Sequence, residues 1–165
     1  MNSFKDAKAL LIVYSYHHNN TLKIAEVLSS VLHAEIKTPE DINDVLLNDY
    51  DLIGFGSGID SGKHYPSLLN LANQLETVSG KSCFIDSTSA VQGKIKVFND
   101  HSTLRNILLS KGYKILDEFS CKGFNTNSFL KYFGGMNKGR PDTDDLHHAK
   151  TFANRILQDY MFNNL

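Results

Sequence analysis

The chain has 165 residues, of which 17 are basic and 18 are acidic, so its formal net charge is −1. This length is enough for one full apolar core, and we expect a single domain over residues 1–165. The near balance of charge argues against a nucleic-acid-binding surface or an acidic tail, so we expect no nucleic acid among the partners.

Cysteine content and hydropathy indicate where the protein works. Cys83 and Cys121 are too few for a disulfide framework and lack zinc-ligand spacing. The N-terminus has no apolar segment of the signal-peptide type, and no stretch approaches the ~18 apolar residues of a membrane span. We therefore expect a cytoplasmic monomer without a membrane partner.

The first predicted strand runs into a polar loop and then a helix. Residues 9–14 are apolar without a break, which favours a strand buried on both faces of a parallel sheet. Apolar residues recur at helical spacing from Leu22 onwards, so Asn20 or Thr21 is predicted as the N-cap. Hydroxyls and amides beside a helix N-terminus suit a phosphate group. The same pattern is typical of an ordinary strand-to-helix turn, and both interpretations stay open at this point.

Two more strands are predicted to end in small polar loops. A short strand at 34–37 and a helical turn at 39–47 come first. The buried strand at 51–56 then leads into a glycine-rich loop at 57–62, and the strand at 82–86 leads into a loop at 87–90. Glycines in such a loop permit the close approach of the backbone to a flat ligand.

The remaining elements complete a repeating pattern of strands and helices. Helices are predicted around Leu68–Leu75, over 99–111 and from Asp142 onwards, and a fifth strand over 113–119. This alternation predicts an α/β fold, a doubly wound five-stranded parallel sheet of order 2-1-3-4-5 with helices on both faces. The loops after strands one, three and four then converge where the strand order reverses, which is where such sheets bind ligands.

Four segments resemble the flavodoxin family, namely 15–21, 54–59, 86–89 and 120–124. The resemblance covers nearly the whole chain and implies one noncovalently bound FMN. It implies that the phosphate is held by Ser15, His17, Asn19, Asn20 and Thr21. It further implies that the isoalloxazine lies between Ser57, Gly58, Ile59, Asp60 and Ser61 on one side and Ser87, Thr88 and Ser89 on the other.

The resemblance implies a role in electron transfer between redox partner proteins. The flavin would supply the chemistry, so we expect no catalytic residue, and the Gly58 peptide would help to set its redox potential. The chain departs from the family pattern at Asn19 and Ala90, where glycine is common, and in being nearly neutral where flavodoxins are strongly acidic. It has no tryptophan, so Tyr16, Tyr65 and Phe124 are the candidates to stack on the ring.

Two other functions fit parts of this pattern. A flavodoxin-fold NAD(P)H-dependent flavin or quinone reductase is the main alternative, and nothing in the sequence separates carrier from enzyme. A phosphoacceptor receiver domain is a remote alternative, because it needs carboxylates where 15–17 and 57–58 stand. His17-His18 and His147-His148 lack a nearby ligand at metal spacing, so no metal is expected, and Cys121 is expected to be a structural thiol.

Overall fold

The computed structural model describes residues 7–43, 47–126 and 128–163, without the side chains of residues 128 and 129. The strands are β1 (Ala9–Tyr14), β2 (Glu35–Lys37), β3 (Leu52–Asp60), β4 (Lys63–His64), β5 (Ser82–Ser89) and β6 (Lys114–Lys122). The α-helices are α1 (Asn20–Leu32), α2 (Pro66–Gln74), α3 (Lys94–Ser110) and α4 (Thr143–Asn163). Short 3₁₀ helices span Pro39–Asp41 and Ser128–Phe133.

The sheet has the predicted architecture. Its parallel strands follow the order β2-β1-β3-β5-β6, which confirms the order 2-1-3-4-5 expected for five strands. The short β4 is an addition that pairs antiparallel with the end of β3, with Ile59 opposite His64. The order reverses between β1 and β3, so the switch point lies where their carboxyl ends separate toward different helices.

Each face of the sheet is covered by two helices. Leu11 and Phe84 point toward α1 and α4, where Phe84 meets Phe152 edge to face at 5.6 Å between ring centroids. On the other face, Phe55 and Leu104 belong to a second apolar cluster under α2 and α3. The unbroken apolar runs of the central strands follow from this arrangement, because alternate side chains on both faces are buried.

Several boundaries differ from the sequence prediction, among them the end of the fifth predicted strand, which extends to Lys122 and not to 119. Residues 57–60 and 87–89 are strand and not loop. Residues 57 and 58 pair with 87 and 88, residues 59 and 60 pair with β4, and Ser89 pairs with Lys122 of β6, so the turn is confined to 61–62. Helix α3 begins at Lys94 and not at residue 99. Ile95 and Phe98 in its first turns are exposed, so the apolar residues there do not follow the spacing of a buried helix face. Of the predicted turn at 39–47, Pro39–Asp41 is 3₁₀ helix and 44–46 lie outside the described residues.

Within these described ranges, none of the helices combines the length and apolarity that a bilayer crossing requires.

Candidate functional site

A cleft opens at the carboxyl ends of β1, β3, β5 and β6. Its position outside the strand ends at the switch point is where an open α/β sheet binds ligands. The cleft is lined by Tyr16, His17, Asn20, Thr21, Gly58, Ile59, Tyr65, Thr88, Ser89, Ala90, Gly123, Phe124 and Asn125.

The structure brings about half of the predicted site residues together around this cleft. Those that line it are His17, Asn20, Thr21, Gly58, Ile59, Thr88 and Ser89. Those that do not line it are Ser15, Asn19, Ser57, Asp60, Ser61 and Ser87. All three predicted segments therefore contribute, each with part of its residues.

The loop between β1 and α1 leads directly into the helix, and the side chain of its N-cap residue makes no capping hydrogen bond. The N-cap is Asn19, not Asn20 or Thr21 as predicted, and it adopts a left-handed conformation with φ of 53°. His18 is also left-handed, at φ 51°, an unusual conformation for a residue that is not glycine. Ser15 takes over the capping role, since its Oγ accepts the Leu22 amide at 3.2 Å.

This loop presents backbone donors. The amides of His17, His18 and Asn19 donate to no acceptor within the described residues. They lie at the N-terminus of α1, where the helix dipole adds partial positive charge. Free amides at a helix N-terminus are groups that can donate hydrogen bonds to an anion.

The segment after β6 holds the loop in place. The His18 ring lies 4.4 Å from the Phe124 ring, and its Nε2 is 2.9 Å from Thr126 Oγ1. Asn20 Nδ2 donates to the Phe124 carbonyl at 2.8 Å. Gly123 permits this close approach, because a Cβ at that position would be 2.9 Å from Asn20 Nδ2. These contacts stabilise the left-handed backbone at His18.

Polar groups on the cleft floor have hydrogen-bonding capacity to spare. Thr21 Oγ1 and Thr88 Oγ1 are 2.9 Å apart and buried. Asn20 Oδ1 is buried and has no hydrogen-bond partner among the described residues. A buried acceptor without a donor costs free energy, so a ligand hydroxyl or amine at this position would be stabilised.

Aromatic rings border the other side of the cleft. Tyr65 packs over β3 so closely that a Cβ at Gly58 would be 3.0 Å from its ring. Its centroid lies 6.2 Å from that of Tyr16, which is 67% exposed. Burial, and then the charge of Asp60, raises the pKa of Tyr65 above its usual value, so the phenol is neutral at physiological pH. Such surfaces suit the face of a flat ring.

Ser57 does not line the cleft, but its side chain holds the backbone of the residues that do. Its Oγ accepts the Tyr65 amide at 3.2 Å, donates to the Gly58 carbonyl at 2.7 Å and lies 2.9 Å from His64 Nδ1. His64 is fully buried, and burial followed by the nearby His101 lowers its pKa well below the usual value. A neutral His64 whose Nδ1–H donates to Ser57 satisfies all three of these bonds.

The neighbouring strand repeats this arrangement. Ser87 Oγ is 2.7 Å from His101 Nε2, and His101 Nδ1 is 2.8 Å from Glu118 Oε2. Burial alone would raise the pKa of Glu118, but hydrogen bonds from His101 and Arg105 outweigh it and lower the pKa to about 2. Ser57 and Ser87 are register partners, so this polar network crosses the sheet beside the cleft and does not enter it.

Two further acidic or nucleophilic groups are buried. Asp86 is 1% exposed and one of its carboxyl oxygens has no hydrogen-bond partner among the described residues; burial raises its pKa to about 7. Cys121 is 6% exposed, and burial first, then the charge of Asp145, raises the pKa of its thiol. A buried protonated thiol is unreactive, as expected of a structural cysteine.

Some lining residues were not in the predicted site. Ala90, Gly123 and Asn125 were missed, while Tyr16, Tyr65 and Phe124 were considered only as candidates for stacking. The available signal was the long segment 120–141 leaving the same edge of the sheet, since long loops at such an edge are commonly functional.

Comparison with known proteins adds a family and a fold. Residues 11–154 match the family model of the flavodoxin domain. An uncharacterized protein of Methanocaldococcus jannaschii is 42% identical over 152 residues, 92% of this chain and 99% of that protein.

Solved structures share the fold at low identity. Oxidised flavodoxin 2 from Bacillus cereus has a TM-score of 0.69 at 15% identity and covers 92% of this chain and 99% of its own. A flavodoxin from the domain Archaea has a TM-score of 0.62 at 14% identity, over 93% and 99% of the two chains. The rubredoxin:oxygen oxidoreductase of Desulfovibrio gigas matches 93% of this chain with 36% of its own, at a TM-score of 0.63 and 15% identity.

Proposed function

This chain belongs to the flavodoxin domain family, and from that premise we propose that it binds one FMN in the cleft and carries electrons between redox partner proteins. One observation carries the proposal. The unused amides of His17, His18 and Asn19 lie at the N-terminus of α1, beside a cleft bordered by aromatic rings. A ligand with an anionic end and a flat ring system matches both parts.

Residues around the cleft match each of the three parts of FMN, namely its phosphate, its ribityl chain and its isoalloxazine ring. The amides of 17–19 and the Thr21 hydroxyl would hold the phosphate. The buried Asn20 Oδ1 would accept a hydrogen bond from a ribityl hydroxyl and so gain its missing partner. Gly58 and Ile59 from β3, with Thr88 and Ser89 from β5, would border the isoalloxazine, together with Tyr65.

The chain's own residues orient the cofactor and exclude water. FMN, when bound, supplies the acceptance and release of electrons. Ser57 holds the Gly58 carbonyl through its hydroxyl, which fixes the peptide beside the ring. Tyr65 covers this peptide, and the aromatic pair of His18 and Phe124 closes the phosphate end. No side chain needs to act as nucleophile or general acid in this role.

Both cysteines are unpaired thiols, which agrees with work in a reducing compartment such as the cytoplasm. We propose that the protein acts there as a monomer.

Two measurements test the proposed function. Flavin is extracted from the purified protein and identified, with one FMN per chain expected. The FMN-loaded protein is then mixed in a stopped-flow instrument with NADH or NADPH and, separately, in its reduced form with cytochrome c. A carrier passes electrons to cytochrome c and is not reduced by either nucleotide within the working time. Fast bleaching by a nucleotide would show a reductase instead, and absence of FMN after loading would refute the proposal.

A further inference from the structure

The loop between β1 and α1, here called the first loop (residues 15–19), has two successive residues in a costly backbone conformation. His18 and Asn19 are both left-handed, with φ of 51° and 53°. Only glycine, and occasionally asparagine or aspartate, adopts this conformation routinely, because a Cβ approaches the following carbonyl oxygen. The Asn19 side chain makes no capping hydrogen bond that would offset this cost. A contact from outside the first loop is therefore needed to hold its free amides in place.

A pair of antiparallel segments lies against the first loop. These segments are residues 123–126 and 135–137, which we call the clasp. Asn125 and Met136 join them, since the amide of each donates to the carbonyl of the other, at 2.9 and 2.7 Å. Gly135 packs so closely that a Cβ there would be 2.6 Å from the Phe124 ring. The Phe124 ring, which also contacts the His18 ring, is therefore held within the clasp.

The clasp is anchored on the chain at the end of β5. Asn137 Nδ2 donates to the Ala90 carbonyl at 2.7 Å and to the Gly123 carbonyl at 3.3 Å. The Gly123 amide donates to the Ser89 carbonyl at 2.9 Å. Asn137 is itself left-handed, at φ 60°, a conformation that asparagine tolerates better than most residues. The clasp therefore links the carboxyl end of β5 to the first loop.

We infer that the clasp preorganises the phosphate site, and that Thr126 and Asn137 are positioning residues that hold the first loop in its binding conformation. Neither of these two residues lines the cleft. The inference rests on the proposed function, which assigns the phosphate of FMN to the first loop. A site that already has its bound conformation binds more tightly, because ordering it costs no free energy during binding. The clasp thus supplies from a distance what glycine would supply locally in the first loop.

The contacts of the clasp with the first loop define how its loss would act. Thr126 Oγ1 lies 2.9 Å from His18 Nε2, and Asn137 holds the segment that carries Thr126. Without both contacts, the backbone of the first loop relaxes from the left-handed region and its amides no longer converge. The phosphate of FMN then loses hydrogen bonds, whereas riboflavin has no phosphate and loses little. The expected result is a weaker affinity for FMN at a nearly constant affinity for riboflavin.

Binding of FMN and of riboflavin to the apoprotein is measured by quenching of flavin fluorescence for the double variant Thr126→Val, Asn137→Gly. Valine keeps the shape of threonine without its hydroxyl, and glycine keeps the left-handed backbone without the amide side chain. The affinity for FMN should fall at least about tenfold and that for riboflavin less than about twofold. His33→Gly is the matched control, because His33 is left-handed at φ 49° and exposed at the far end of α1; it should change neither affinity.

A substitution in the first loop tests whether the clasp acts through the strained backbone. His18→Gly removes both the strained side chain and its contact with Thr126. Combined with His18→Gly, the double variant should lower the affinity for FMN by less than about threefold, and a double-mutant cycle measures the difference. An equal loss with and without His18→Gly overturns the inference. An equal loss of affinity for FMN and riboflavin, or no loss of affinity for FMN, also overturns it.

NMR spectroscopy of the apoprotein separates this inference from the proposed function. Backbone couplings should show left-handed residues 18 and 19 before any ligand is added, and NOEs should connect the rings of His18 and Phe124. The double variant should lose these signals and keep those of the sheet. A protein that binds no FMN counts against the proposed function alone, and the NMR comparison still decides the inference. If the original apoprotein becomes left-handed at 18 and 19 only after FMN is added, the inference is overturned, whether or not the variants fold.

Discussion

Replacing Asp86 by asparagine tests the account of the buried centre of the sheet. Asp86 is 1% exposed, and one of its oxygens lacks a hydrogen-bond partner among the described residues. Burial raises the pKa of this carboxyl from 3.8 to about 7. Because one pKa unit is worth ~1.4 kcal/mol, ionisation of Asp86 in the folded protein costs about 4 kcal/mol.

The direction of the pH dependence follows from the raised pKa. The unfolded chain releases the Asp86 proton near its ordinary pKa of 3.8, whereas the folded protein keeps it until about pH 7. This group therefore lowers stability progressively as pH rises between those values, and its effect is constant above them. Asparagine has nearly the same shape and does not titrate in this range. The free energy of unfolding of Asp86→Asn relative to the original protein should therefore increase by ~3 kcal/mol from about pH 4.5 to about pH 8.

Urea unfolding of both proteins at matched flavin content across this pH range measures the difference. Ser110→Ala at the exposed end of α3 removes no titratable group and is the control, so its stability relative to the original protein should not change with pH. A stability difference between Asp86→Asn and the original protein that does not change with pH would refute the assignment of a buried, protonated carboxyl.

Three further variants test the packing and the polar network. Gly56→Ala would place a Cβ 2.5 Å from an Asp86 oxygen, so the free energy of unfolding should fall by ~1–3 kcal/mol. The added substitution Asp86→Ala removes that oxygen and should restore part of this stability. If the stability losses of the two substitutions simply add, no clash exists between these residues. Ser57→Ala leaves His64 and the Gly58 carbonyl without their shared hydrogen-bond partner. It should lower the free energy of unfolding in urea by ~1–3 kcal/mol, whereas Ser110→Ala at an exposed position should have a small effect. The lowered pKa of Glu118 stabilises the folded protein, and this stability is lost as pH falls from 4.5 to about 2. Glu118→Gln should remove this pH-dependent part of the free energy of unfolding, which acid unfolding measures. An unchanged acid transition would exclude the contribution of Glu118.

The strand order was predictable because the central strands have distinctive sequences. Residues 9–14 and 51–56 are apolar on both faces, and the amphipathic helical pattern that begins at Leu22 between them argues against an antiparallel meander. The ends of β3 and β5 were not predictable in the same way. Ser57, Gly58 and Ser87 have low strand propensity, and only their pairing with each other across the sheet makes them strand.

The site was predictable in outline but not in detail. The three polar segments could be located from the ends of the strands, because parallel strands all end at one edge. Which side chains face the cleft depends on the alternation along β3 and β5, and this alternation turns Ser57 and Ser87 toward His64 and His101. The contribution of the Gly123 segment depends on its packing against the first loop, a contact 104 residues apart between Asn20 and Phe124.

A comparison of FMN and riboflavin binding tests the central claim most directly. Both ligands are titrated into the apoprotein by quenching of flavin fluorescence, since they differ only in the phosphate. If the amides of 17–19 and Thr21 hold the phosphate, even two charge-assisted hydrogen bonds of ~1.5 kcal/mol each make FMN bind at least about 100-fold more tightly. Thr21→Ala should reduce the affinity for FMN more than that for riboflavin. Equal affinity for the two ligands would contradict the assignment of the first loop as a phosphate site.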